Sequence, residues 1–475
     1  MVKLPNIVRT VLGGVAVAVL SGGMLAAPAP ARAETLTVAL YPYVPRYEQF
    51  VTAITSAWAA VEPGVTLDFV PKDQWDGGYS MNPPDNVDVF VFDAMFFNDF
   101  RANGFLESIA PNEVQNAGDF VDYAREGVQY QGNYYALPLL GCSNVLFYKE
   151  DDQQLANATT FDEVTGTLNQ CTFTSQIPPD RRGLMLDMSG GTTNAALYLD
   201  IAHGLTGTYP LPLPPNEQSL NTDAVADQRQ LLATSSFFNA TVPTAGEYER
   251  AEWFSEGFGR ATIGYTESMS QMSDATLSTI AFKVMPFGDG TQRPLFYADV
   301  IGVNTTTVAR GTRDMAVKLA NVMASSDTMV ASVGATASEP RPQYLMVTRT
   351  SAFQTLGAQF PIYQKMHGLV TGNDPLLFTL DADARDWLSS MKGVIRSDAR
   401  ENFPCGCDFK AATVIPDNSA AAAICDQTCS SHGGWNGQWT NDPPAATGGS
   451  VCGCNACPVQ ATPSLISVGV EREKR

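Results

Sequence analysis

The nine cysteines of this 475-residue chain divide it into two unlike parts. Cys142 and Cys171 stand alone in the first 400 residues, whereas Cys405, Cys407, Cys425, Cys429, Cys452, Cys454 and Cys457 crowd into the last stretch, among many Gly, Ala, Asn and Pro. A segment that short cannot bury a large apolar core and is expected to be stapled. The long body must hold itself together by apolar packing instead. Its composition allows this: 44% hydrophobic and 16% charged residues describe a globular chain and exclude a disordered one. The expected organisation is a leader over 1–33, a body over 34–402, a Cys-rich module over 403–459 and a frayed tail over 460–475.

The leader is read from its ends. Lys3 and Arg9 precede an apolar run from Val11 to Ala27, and Ala31-Arg32-Ala33 is a small-residue cleavage site. Glycines interrupt the run and no stop-transfer pattern follows, so no membrane span is expected to remain after processing. No cysteine follows the run, so no lipid anchor is expected there either. An exported protein, periplasmic or secreted, lives where disulfides persist. The formal charge of −20 argues against nucleic acid or an anionic membrane as partner and suits a cationic or neutral small ligand.

Along the body, Glu34 to Pro42 reads as a strand ended by proline, Tyr47 to Ala60 as a helix with Phe50, Val51, Ile54 and Trp58 on one face, and Val65–Val70 and Val87–Asp93 as further strands. This order predicts an α/β sheet with helices on its faces, which binds ligands beyond the carboxyl ends of its strands. Tyr41, Tyr43 and Asp93 fall at such ends. Further strands are predicted at Leu184–Met188, Ala261–Tyr265 and Leu295–Val303, and helices at Ala195–Leu205, Thr312–Ala324 and Pro375–Ser390. The last is expected to start with Asp374 as its cap and Pro375 in its first position.

Cys142 lies between an apolar run and a polar Ser143-Asn144 step, far from the other thiols. A free cysteine in such a place is either a small packed hydrophobe or a nucleophile. A nucleophilic thiol needs a base. The chain has three histidines, His203, His367 and His432, and none is well placed in the sequence. Glu267, just past the strand ending at Tyr265, is the better candidate, because a buried carboxylate can be raised towards neutrality. Its competing role is to cap the next helix. Asp93 and Asp299 lie at the end of and within apolar strands, where a carboxylate is costly unless partnered by a backbone amide, an arginine or an amino-substituted heterocycle. Tyr41, Tyr43, Tyr79, Tyr248 and Tyr265 supply faces that suit a flat ring.

The segments Val38–Tyr43, Val89–Asp93, Leu139–Tyr148, Gly264–Glu267 and Phe296–Asn304 resemble thiaminase type I (thiamine pyridinylase). The resemblance runs over roughly 35–400. It implies an α/β, two-lobed, periplasmic-binding-protein-like fold of type II with a cleft active site and no cofactor. Cys142 would add to the pyrimidine of thiamine and Glu267 would act as its base. Asp93 and Asp299 would hold the aminopyrimidine, and Tyr79, Tyr248, Tyr265 and Tyr43 would line the cleft. The thiazole would leave and an amine, pyridine or thiol would replace it. Gly141, beside the thiol, is expected to let the backbone approach the ring closely.

The tail resembles a mannan-binding lectin module through Cys425-x-x-x-Cys429, Gly433–Trp439 and Cys452-Gly453-Cys454. The resemblance implies a mannan-type glycan at Trp435, Asn436, Gln438 and Trp439. The alternative is a stapled stub. Disulfides are expected over a zinc site at Cys452-x-Cys454-x-x-Cys457, with open connectivity and with Cys171 a possible partner. The rival for the whole protein is a non-enzymatic solute-binding protein for thiamine, a pyrimidine or a sugar. A scaffold carrying a surface lectin is the third reading. A monomer without metal is expected.

Overall fold

A computed structural model describes residues 34–168, 183–235, 240, 248–400, 408–441 and 449–454. The leader, Cys171, Cys405, Cys407, Cys457 and the 460–475 tail lie outside the described residues.

The strands in chain order are β1 Glu34–Ala39, β2 Val65–Phe69, β3 Val89–Asp93, β4 Gln129–Tyr130, β5 Asn133–Tyr134, β6 Leu137–Cys142, β7 Val145–Lys149, β8 Leu184–Met185, β9 Ala261–Gly264, β10 Ile280–Val284, β11 Leu295–Val303, β12 Met346–Val347, β13 Leu376–Leu377, β14 Asp408–Lys410, β15 Trp435–Thr440 and β16 Val451–Cys454. They form two lobes and a small appendage. The first lobe is built on the order β12-β6-β11-β3-β1-β2, with β13 added beside β11. β1 runs parallel to β2 and β3, whereas β11 runs antiparallel to β3 and β6. The second lobe is built on the order β10-β7-β9-β8.

β3 and β6 are apolar nearly throughout and buried on both faces, as strands covered by helices must be. The helix Tyr47–Val61 buries Phe50, Ile54 and Trp58 of the predicted stripe together with Ala53, while Val51 at its margin is half-buried. The helix Arg313–Met323 falls where expected. The helix predicted at Pro375–Ser390 does not. Asp374 instead closes the helix Ile362–Asn373 in a left-handed conformation, β13 follows, and the last helix of the body is Ala384–Arg400. Backbone pairing of Leu376 and Leu377 with Leu295 and Phe296 overrides the local capping signal. The second-lobe helix begins at Gly191 rather than Ala195, so that Ser189-Gly190 alone makes the turn.

The lobes are joined where β6 of the first sheet passes into β7 of the second through Ser143 and Asn144 alone. The return crossing lies between β10 and β11. The Asn144 carbonyl accepts the Met285 N–H at 2.9 Å, so the two crossings lie side by side. The helix Ala384–Arg400 packs on helices of both lobes. The appendage is the antiparallel sheet β14-β16-β15 with the helix Asn418–Thr428. Disulfides Cys425–Cys452 and Cys429–Cys454 form its core, which removes two ligands from the zinc alternative.

Candidate active site

A cleft of about 630 Å³ opens between the lobes, and Cys142 stands on its wall at the end of β6, one residue before the crossing. Tyr43, Tyr79, Asp93, Tyr248, Tyr265, Glu267 and Asp299 line the same cleft. All eight catalytic and substrate-binding residues singled out in the body therefore meet, from both lobes. The three histidines do not line it. His203 faces backbone carbonyls, His367 stacks on Phe353 and His432 stacks on Phe409.

Sheet register explains much of this convergence. β11 is the common neighbour of β3 and β6, and it places Asp299 opposite Asp93 and Tyr297 opposite Cys142. Side chains on directly opposed residues come within a few ångströms, so two carboxylates here repel unless one keeps its proton. Asp93 accepts the Met95 N–H at 2.9 Å and the Tyr79 hydroxyl at 2.9 Å. It thus caps the turn Ala94–Phe96 and also faces the cleft. Glu267 lies in the turn Thr266–Gln271 after β9 and is 6% exposed, so it is not a surface helix cap. The Tyr248 hydroxyl donates to it at 3.4 Å. Tyr248 holds a left-handed backbone (φ 61°) at the entry to the helix Glu249–Glu256, a conformation that costs energy for a bulky side chain.

The electrostatics are those of a cation site. Burial pushes the Cys142 thiol well above its ordinary range, and the charges of Glu267, Asp299 and Asp93 push it further. Burial, then Asp93 and Glu267, hold Asp299 well above the usual carboxylate range. Burial raises Asp93 to about 6, against the opposing pull of its two hydrogen bonds. Asp299, with its raised proton affinity, and Asp93, raised to about 6, stand side by side, and a carboxyl that keeps its proton can donate a hydrogen bond where an ionised one only accepts. An entering cation would relieve the repulsion and favour the thiolate.

Gly141 lines the cleft, and its missing side chain has a second consequence. A Cβ there would fall 2.3 Å from the Tyr123 hydroxyl, so the missing side chain makes room for a buried tyrosine. Tyr41 lines the cleft from its strand end, and Tyr297 and Asn144, which were not among the expected site residues, line it as well. Tyr297 was legible, since it stands two residues before Asp299 and so points to the same face of a strand. Asp200, alone in the apolar run Ala195–Ile201, is buried behind Asn144.

In the appendage, Trp435 and Trp439 are partly buried against the disulfide core, and Trp439 Nε1 donates to Asn418 at 2.9 Å. They pack the module, whatever sugar face they offer. The side chains of Asn436 and Gln438 lie outside the described residues. Among the described residues no group of three His, Cys, Asp or Glu could hold a metal ion, and no helix is long and apolar enough to cross a membrane.

Comparison with known proteins agrees with this geometry. The Thiaminase-1 domain family model matches residues 143–288, and the Mannan-binding protein family model matches residues 418–454. Thiaminase-1 of Paenibacillus thiaminolyticus is 36% identical over 364 residues, 76% of this chain and 87% of that protein. The structure of Clostridium botulinum thiaminase I in complex with thiamin is similar at a TM-score of 0.73 and 34% identity, covering 77% of this chain and 100% of that one. Thiaminase I from Bacillus thiaminolyticus follows at 0.70 and 36% identity, over 77% and 99%. Maltose-bound MalE3 of T. maritima, at 0.58 and 15% identity over 78% and 95%, shares the fold alone. The chain belongs to the thiaminase I family and has the two-lobed fold of the periplasmic binding proteins, with a mannan-binding-type module at its C-terminal side.

Proposed function

We propose that the protein degrades thiamine as a thiamine pyridinylase, transferring its pyrimidine to an organic base or thiol through a covalent adduct on Cys142. The observation that carries this reading is the meeting of Cys142, Glu267 and the opposed pair Asp93 and Asp299 in one cleft. Thiamine carries a permanent positive charge, and its aminopyrimidine matches a neutral and an ionised carboxylate side by side. The high-lying thiol explains the need for a base. Glu267 takes the Cys142 proton as sulfur adds to the electron-poor pyrimidine ring. The bond from the bridging methylene to the thiazolium nitrogen then breaks, and the thiazole leaves neutral with the bonding pair. The acceptor bonds to the methylene; an amine or thiol acceptor releases its proton to solvent, whereas a pyridine has none to lose and stays as a pyridinium. Expulsion of the thiolate restores the ring, and Glu267 returns the proton. Tyr265 and Tyr297, whose rings meet edge to face at 5.8 Å, give the flat ring a wall.

A non-enzymatic binder of thiamine, a pyrimidine or a sugar has no need of a thiol beside a carboxylate, and the relatives of high identity are thiaminases. The leader supports export and action outside the cytoplasm. The module's match to a mannan-binding family supports a mannan-type glycan as its ligand, through Trp435, Asn436, Gln438 and Trp439.

The test is to incubate the protein with thiamine and aniline and to seek the exchanged pyrimidine by mass spectrometry. Cys142→Ser should abolish exchange while still binding thiamine. Turnover by that variant, or tight binding of intact thiamine without turnover by the wild type, would overturn the reading.

A further inference from the structure

Asp200 is a buried carboxylate that the reaction just described does not use. It is 5% exposed, lies on the second-lobe helix Gly191–Thr206 and does not line the cleft. Among the described residues no lysine or arginine forms an ion pair with it. Its Oδ2 accepts instead from Asn144 Nδ2 at 2.7 Å and from the Tyr297 hydroxyl at 3.4 Å, and Asn144 Nδ2 also reaches the Tyr297 hydroxyl at 3.3 Å. Burial alone raises its proton affinity, to about 7, while both of these bonds pull the other way. A buried carboxylate without a cation is costly, and an apolar residue would pack there at less expense.

What the carboxylate holds is the machinery. Asn144 is half of the two-residue crossing between lobes and stands two residues after Cys142. Tyr297 is opposite Cys142 in the β6–β11 register and walls the cleft. One turn further along the same helix, His203 Nε2 meets the Arg293 carbonyl at 2.8 Å, in the return crossing. One helix face thus touches both connections between the lobes.

We propose that Asp200 is a positioning residue of the transfer reaction: from the second lobe it fixes Asn144 in the crossing that carries the nucleophile, and the Tyr297 hydroxyl beside it, and so places Cys142 against the ring that the cleft holds. This rests on Cys142 being the nucleophile. Small displacements of a reacting atom cost rate more than binding.

The experiment compares Asp200→Asn, Asn144→Ala and the double variant with wild type. kcat and KM are measured for thiamine with aniline, and the rate of iodoacetamide modification at Cys142 is followed by peptide mass spectrometry. For Asp200→Asn the expected result is a fall in kcat of about tenfold or more with KM changed by less than about threefold, and a Cys142 modification rate altered by about threefold or more. The double variant should lose no more than the worse single one, as members of one unit do. A kcat within about twofold of wild type with unaltered Cys142 modification would overturn the proposal, as would a loss confined to KM. Should Asp200→Asn fail to fold, Asn144→Ala leaves the carboxylate in place and carries the same readouts and expectations. The thiol modification reads the placement of Cys142 without turnover, so failure here is distinct from failure of the thiaminase reading, which shows as exchange by Cys142→Ser.

Discussion

Replacing Asp93 by asparagine should stabilise the protein while impairing its binding of thiamine. The carboxyl lies beside Asp299 in the cleft and is raised by burial from 3.8 to about 6. The sign follows from linkage. A carboxyl raised by folding holds its proton more tightly in the folded chain, so stability is full below 3.8, falls as pH rises, and is at its lower plateau above about 6. At 1.36 kcal/mol per pH unit, the plateau lies ~3 kcal/mol down, and at pH 5 the loss is about half of that. The asparagine side chain would not titrate, and it keeps an oxygen for the Met95 N–H and an amide for the Tyr79 hydroxyl. The gain for Asp93→Asn is therefore ~3 kcal/mol at pH 8 and ~1.5 kcal/mol at pH 5. With an unfolding entropy of about 2.1 cal/mol/K for each of about 370 body residues, this is a rise in Tm of about 4 °C at pH 8 and about 2 °C at pH 5. Differential scanning calorimetry at the two pH values reads it directly. A lower Tm for the variant at pH 8, or a gain as large at pH 5 as at pH 8, would refute the reasoning. Thiamine affinity, measured by calorimetric titration in the Cys142→Ser background, should fall by about tenfold or more through the lost charge-assisted bond.

Glu267→Gln should separate two effects: turnover should fall by about 10²-fold or more for want of the base, while iodoacetamide modification of Cys142 at neutral pH should quicken, because a charge that holds the thiol up has gone. Gly141→Ala should cost ~1–3 kcal/mol in thermal unfolding through its clash with the Tyr123 hydroxyl, and Tyr123→Phe should restore most of that loss, since the next atom is 3.6 Å from the added methyl. Reducing Cys425–Cys452 and Cys429–Cys454 with dithiothreitol should remove ~3 kcal/mol of restraint for each bond and abolish retention on immobilised mannan, while thiamine exchange by the body persists.

The site was legible where chemistry and local pattern coincide. Asp93 ends an uninterrupted apolar strand, Glu267 follows another, and Cys142 stands alone between apolar and polar steps; each was found from these signals. The helix Tyr47–Val61 was likewise visible as an apolar stripe. Pro375 misled, because a proline after an aspartate satisfies the local rule for a helix start, while the pairing of β13 with β11 is a non-local bond that no window of neighbours contains. Gly141 shows a similar limit: a glycine announces a close approach but not all that approaches, and the Tyr123 hydroxyl comes from 18 residues upstream. Tyr297 carries its signal in its two-residue spacing from Asp299, which puts both side chains on one face of β11.

What the sequence determined by itself was the inventory: an apolar α/β body that must fold on its own core, a short stapled module, a cleft chemistry of thiol and carboxylates without an available histidine, and a family. Tertiary structure decided which of these groups confront one another. Two carboxylates more than 200 residues apart become direct neighbours because β11 runs between β3 and β6, and burial in that place, with Asp93 and Glu267 beside it, raises the proton affinity of Asp299. Cys142 became a thiol at the crossing of two lobes because β6 and β7 join different sheets. Proton affinity and reactivity depend on distance and burial, and these exist only once the chain is folded.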